Sequence, residues 1–117
     1  MKIYISASKR EQAAALASLL KKKHEIVSSW INESTGLFTD EELNRTFEDI
    51  DKCDVYIVMN DFNTNGKYIE YGYAMGRGKH LIVYGERFAR AHKLAHQCDT
   101  LSKLRKILKK LDNPATV

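Results

Sequence analysis

Glu70 is the residue around which chemistry could be built. It lies in Asn65-Gly66-Lys67-Tyr68-Ile69-Glu70-Tyr71-Gly72-Tyr73-Ala74-Met75-Gly76-Arg77-Gly78-Lys79, a short loop after the apolar run Asp54 to Asn60, which reads as a buried strand. A carboxylate in the opening turn of the next helix is kept ionised by the helix dipole, which suits a nucleophile and not a general acid. The same pattern also describes a merely favourable first-turn acid. Gly72 and Gly76, four apart, would let that helix press closely on a sheet and so fix the direction of Glu70.

A second segment with chemical content is Ser6-Ala7-Ser8-Lys9-Arg10-Glu11, which joins the first strand to the first helix. Backbone N–H groups at such a helix start attract anions, so a phosphate or a sugar hydroxyl could rest there. Alternatively, Ser8 as N-cap with Glu11 three residues on makes a capping box that needs no ligand. The segment is neither a P-loop nor the glycine fingerprint of dinucleotide folds. Nor does Ile5-Ser6-Ala7 offer the acidic residues that a phosphoacceptor receiver needs for its metal. Trp30, at the end of the second predicted strand, could offer a ring face to a base or could close the core. His24, His80, His92 and His96 have no spacing with a third ligand, so no metal is expected; His92 and His96 are the one pair four apart.

The elements that must position these residues follow from the apolar period, which switches repeatedly between two and 3.6. The pattern predicts strands near 2–6, 25–30, 54–60 and 80–84 and helices near 9–23, 40–52, 67–77 and 100–111. Residues 85–99 are expected to hold a short helix around Phe88 to Leu94 and a brief edge strand before Asp99 or Thr100 caps the last helix. The first helix would bury Ala13, Leu16, Ala17 and Leu20, and the second Leu43, Phe47 and Ile50. Such alternation argues for an α/β fold, a parallel sheet covered by helices; the arrangement expected is a single doubly wound, flavodoxin-like sheet of order 2-1-3-4-5 with helices on both faces.

At 117 residues, 1–112 are read as one domain and 113–117 as a tail. No apolar run approaches the roughly 18 residues of a membrane span, and the opening residues read as a strand, so a cytoplasmic protein without a membrane partner is expected. Cys53 and Cys98 lie in no metal or redox spacing and read as reduced, buried thiols. The net charge of +4 divides into −3 for residues 1–61 and +7 for residues 62–117. Much of the basic excess lies on the outer face of the last helix, 101–111. A solvated surface explains it, and nucleic acid is disfavoured as a partner because no aromatic stacking pattern accompanies the charge.

Asp54-Val55-Tyr56-Ile57-Val58-Met59, then Gly66 through Glu70-Tyr71-Gly72-Tyr73-Ala74 and Gly78-Lys79, resembles the signature of the nucleoside 2-deoxyribosyltransferase family, which includes deoxynucleoside 5′-monophosphate N-glycosidases. The likeness extends to Ile3-Tyr4-Ile5-Ser6, Trp30 and the helix from Phe47 to Cys53. It implies that Glu70 attacks the anomeric carbon and expels the base, leaving a glycosyl ester that a second base or water resolves. This is the retaining glycosidase strategy. The family aspartate one turn before Ile50 is here Thr46, which cannot act as an acid; Asp49 and Asp61 are the candidate substitutes. At Thr64 the transferases commonly carry an aspartate and the monophosphate hydrolases a small hydroxyl residue. Thr64 therefore leans toward nucleotides, though it also suits a turn in a polar loop.

The expected function is cleavage or exchange of the N-glycosidic bond of a (deoxy)nucleoside or its 5′-monophosphate. Glu70 and Asp61 would be catalytic. Ser6, Ala7, Ser8, Thr64, Asn65 and Gly66 would lie at the sugar and phosphate end, Trp30 and Asp61 toward the base, and Thr46 and Asp49 beside them. No cofactor is required. The resemblance also implies a homodimer or higher homo-oligomer. The rivals are a non-catalytic nucleotide-binding module that has lost the family aspartate, and a glycohydrolase acting on a dinucleotide such as NAD.

Overall fold

The computed structural model describes residues 1–33, 39–60, 65–85 and 95–113, with the backbone alone at residues 33, 60 and 65–67. The elements are β1 (Lys2–Ser6), α1 (Arg10–Leu20), β2 (Glu25–Ile26), α2 (Trp30–Glu33), α3 (Asp40–Lys52), β3 (Val55–Asn60), α4 (Asn65–Gly76), β4 (His80–Gly85), β5 (His96–Cys98) and α5 (Leu101–Asp112). All five strands are parallel, in the expected order β2-β1-β3-β4-β5.

Strand alternation divides the core between the two faces of the sheet. Ile3, Ile5, Val55, Ile57 and Ile82 meet Ala13, Leu16 and Leu20 of α1 and Leu104 and Leu108 of α5. On the opposite face Tyr4, Tyr56, Val58, Leu81 and Val83 meet Ile50 of α3 and Tyr71 and Ala74 of α4. A parallel strand buried on both sides must be apolar at nearly every position, as Val55 to Val58 are. Cys53 and Cys98 are buried thiols, each pushed up to about 11, chiefly by burial.

Several local expectations are corrected. The second strand stops at Ile26, not residue 30, and Trp30 opens a helix. Side chains take over the edge of β1 where β2 leaves it. The Ile5 N–H donates to Ser28 Oγ at 3.2 Å, and the Trp30 indole N–H donates to the Ile5 carbonyl at 2.8 Å. The polar groups of β1 are thereby satisfied without a longer partner strand. Ser8 is not the N-cap: α1 starts at Arg10 with Lys9 as N-cap, and the Lys9 side chain makes no cap bond. Thr39 and Thr100 do cap α3 and α5, accepting from Glu42 N and Lys103 N.

The glycines of α4 do not press on the sheet. A Cβ at Gly72 or Gly76 would meet no atom within 4 Å, and both residues are exposed; Tyr71 and Ala74 make the sheet contact instead. Gly78, at φ 73°, has a backbone reason to be glycine, since it carries the turn that ends the helix. α4 also begins at residue 65 and not 67, which moves Glu70 from the first helical turn into the second. The dipole argument for its ionisation loses force there. Within α3, Leu43 and Phe47 are half-buried and Asp49, read as a candidate site acid, is buried beside Ile50.

Candidate active site

The face of the sheet under α3 and α4 carries an unusual load of hydroxyls. Tyr4 and Tyr56 are direct partners across β1 and β3, and their rings stack with centroids 5.6 Å apart and planes 13° from parallel. Tyr71, from α4, meets Tyr56 edge-on at 6.4 Å. Glu70 precedes Tyr71 and is half-buried, and one oxygen of its carboxylate is sealed from solvent.

The carboxylate is turned toward Tyr4, whose hydroxyl lies within hydrogen-bonding reach of both Glu70 and the Thr46 hydroxyl of α3. Burial raises the Tyr4 phenol well above its ordinary range, and the negative charge of Glu70 adds to the effect. Tyr56 is raised in the same way by burial first and Glu70 second. Both tyrosines are therefore neutral donors near pH 7. A neutral phenol can donate to a carboxylate, so Tyr4 offers the Glu70 carboxylate a hydrogen-bond donor.

The two helices that deliver Thr46 and Glu70 are clasped together at their outer surface. Tyr73 Oη donates to both Asp51 oxygens at 2.9 and 3.0 Å, and Arg77 Nε donates to Asp51 Oδ1 at 2.9 Å. Lys79 Nζ reaches the Asp51 carbonyl at 2.8 Å, while Phe47 stacks on Tyr73 at 4.3 Å. Tyr73, then Arg77, holds the Asp51 carboxyl below its ordinary 3.8.

The sequence-derived candidates separate into groups. Glu70, Thr46 and Ser6 come together: Ser6 ends β1, is buried, and faces the Tyr56 hydroxyl. Ala7 follows it half-buried, and Ser8 is exposed. Trp30 stands at the same end of β1, pinned by its bond to the Ile5 carbonyl and packed against the cores of both faces. Asp49 is engaged elsewhere, accepting from Ser29 N at 3.0 Å and Ser29 Oγ at 2.6 Å, so it fastens the start of α2 to α3. Asn65 and Gly66 form the first turn of α4. Asp61 and Thr64, the short helix around Phe88 to Leu94, His92 and residues 114–117 of the tail lie outside the described residues.

Sequence reasoning passed over Tyr4 and Tyr56 as site residues. The available signal was a tyrosine flanked by Ile or Val in each of two strands, where a buried hydroxyl must find a partner. Two clefts lined by described residues lie away from Glu70. One, of about 510 Å³, is beside Met1, His24 and Asp54; the other, of about 970 Å³, runs between the end of α1 and α5.

No protein-family model matches the sequence, and no curated protein matches it. Among solved structures, the chain is similar to the Clostridium botulinum CMP N-glycosidase BcmB, with a TM-score of 0.63 and 22% sequence identity over 96% of this chain and 98% of that one. At that identity the likeness is one of fold.

Proposed function

We propose that this protein is an enzyme of the N-glycosidase kind, cleaving or exchanging the bond between base and sugar in a (deoxy)nucleoside or its 5′-monophosphate, with Glu70 as the nucleophile. The observation that carries the reading is the inward-turned Glu70 carboxylate beside the neutral Tyr4 hydroxyl, on the helix that follows β3. The fold neighbour is named as a CMP N-glycosidase, which agrees with this class of bond.

In the first step a Glu70 oxygen forms a bond to C1′ while the C1′–N bond breaks, its electron pair leaving with the base, which takes a proton from a donor or solvent. In the second, water attacks C1′, the ester bond to Glu70 breaks, and the water's proton passes to solvent. A second base in place of water gives exchange. Tyr4 orients the attacking oxygen, and Thr46 orients Tyr4. Ser6, Ala7, Ser8, Thr64, Asn65 and Gly66 take the sugar and phosphate end, and Trp30 and Asp61 the base end. Thr46 cannot replace an acid, so protonation of the leaving base falls to Asp61 or to solvent. Asp49, tied to Ser29, is a support for α2 in this scheme.

Self-association belongs to the same reading. The outer face of α4 carries Tyr68 and Ile69, 49% and 50% exposed, beside the cleared strip left by Gly72 and Gly76. A second copy covering that strip would bring its own residues near Glu70.

The test is incubation with ribo- and deoxyribonucleosides, their monophosphates and NAD, following free base by chromatography for wild type and Glu70→Gln. Wild type is expected to release base from a nucleoside or monophosphate, and Glu70→Gln to be slower by about a thousandfold or more. Tight binding with no base released from any compound would make the protein a binding module. Release from NAD alone would make it a dinucleotide glycohydrolase.

A further inference from the structure

Tyr56 holds a polar group that the fold does not use. The residue is 0% exposed, and its hydroxyl makes no hydrogen bond among the described residues. The Ser6 side chain faces it without closing one. Burying an unsatisfied hydroxyl is unfavourable, and phenylalanine would fill the same stack between Tyr4 and Tyr71 without that cost. A buried donor left in this state is commonly explained by a partner that arrives with water or ligand.

The surroundings say which partner. The titratable groups facing Tyr56 are Glu70 and Tyr71 from α4 and Cys53 from the end of α3, with the Tyr4 ring alongside on β1. Of these, Glu70 is the one anion. Because Tyr4 and Tyr56 are in register with nearly parallel rings, the two phenols approach the carboxylate from neighbouring strands.

We propose that Tyr56 is a second positioning residue for Glu70, its buried hydroxyl donating to the Glu70 carboxylate through one bridging water, so that the acid is held between two phenols. The inference rests on the N-glycosidase reading for its kinetic consequence, but not for its structural one. In the second chemical step Glu70 is the leaving group: the C1′–Oε bond breaks and its electron pair returns to the carboxylate. A donor at that oxygen favours this departure more than it favours attack. Loss of the donor should therefore slow release from the ester more than its formation.

The decisive measurement is a carbon-13 titration of the Glu70 side-chain carboxyl in the intact protein, comparing wild type with Tyr56→Phe. The Glu70 midpoint should rise by about half a unit or more when the donor is removed, while circular dichroism and thermal unfolding stay at wild-type values or improve. An unchanged midpoint in a folded Tyr56→Phe protein would overturn the proposal. Should that variant fail to fold, Glu70→Gln provides the reciprocal test through the Tyr56 ring Cζ resonance, which should shift on loss of the charge; an unmoved resonance again overturns the proposal. Both readouts stand whether or not the protein is an enzyme. If base release is observed, Tyr56→Phe should lower kcat and KM together and let a glycosyl-protein adduct accumulate in the mass spectrum. A fall in kcat/KM with no adduct would overturn the kinetic half alone.

Discussion

A buried, neutral phenol is a fixed donor for the carboxylate beside it. Tyr4 is buried, neutral over the ordinary pH range, and shared between Thr46 and Glu70. Removing its hydroxyl takes away a hydrogen bond to a charged group, worth about 1.5–3 kcal/mol. Tyr4→Phe is therefore expected to lower the rate of base release by about ten- to a hundredfold, with unfolding in urea checking that the fold is retained. The sign of any alkaline effect on stability is also set. The Tyr4 pKa is higher in the folded chain than in the unfolded one, so its contribution is full below the ordinary phenol value of 10.0 and is lost as pH rises through the folded value. Thr46, at the second corner of the same cluster, offers a gain-of-function trial. Thr46→Asp would introduce an acid one turn before Ile50, and faster base release would identify protonation of the leaving group as the slow step.

Elements were legible where their cause was local or strongly periodic, and illegible where a side chain did the work of the backbone. The four long helices, β1, β3 and β4 follow from apolar spacing that the packing then uses. Nothing in the run Glu25 to Trp30 announces that Ser28 and Trp30 will finish the edge of β1 and release the chain into a helix. Nor does any pattern on α3 reveal that Asp49 faces inward to Ser29 while Asp51 faces outward to Tyr73 and Arg77, since both pairings join residues far apart in the chain. Glu70 could be singled out from its neighbours, but its true partner, Tyr4, could not, because that contact is made only when α4 lies on the sheet. Asp49→Ala should cost about 1–3 kcal/mol in urea unfolding, since the Ser29 N–H and hydroxyl lose their acceptor. Asp51 predicts a pH effect: its folded pKa lies below 3.8, so its stabilisation is full above that value and fades as pH falls through the folded one. Asp51→Asn should flatten the acid limb of the melting profile and change little at neutral pH. Gly72→Ala, in the open middle of α4, should stabilise by about 0.5–1 kcal/mol.

At the scale of the molecule, the parallel strands sort the side chains so that Ile3, Ile5, Val55 and Ile57 pack against α1 and α5, while Tyr4 and Tyr56 pack against α3 and α4. The chemistry proposed for Glu70 depends on that sorting, because a one-residue slip of β1 or β3 would exchange Tyr4 or Tyr56 for an isoleucine or valine. Self-association through the outer face of α4 predicts a dimer or larger species in light scattering at micromolar concentration, and Ile69→Glu should shift it toward monomer; a wild-type protein that stays monomeric would sink that part of the reading. Trp30 is the single indole of the chain, fixed by its bond to the Ile5 carbonyl at the end of the strand that carries Tyr4. The molecule therefore contains its own optical probe. A nucleotide seating near β1 should alter the intensity or wavelength of tryptophan emission without any label, and in the Glu70→Gln protein that signal would report occupancy with turnover suppressed.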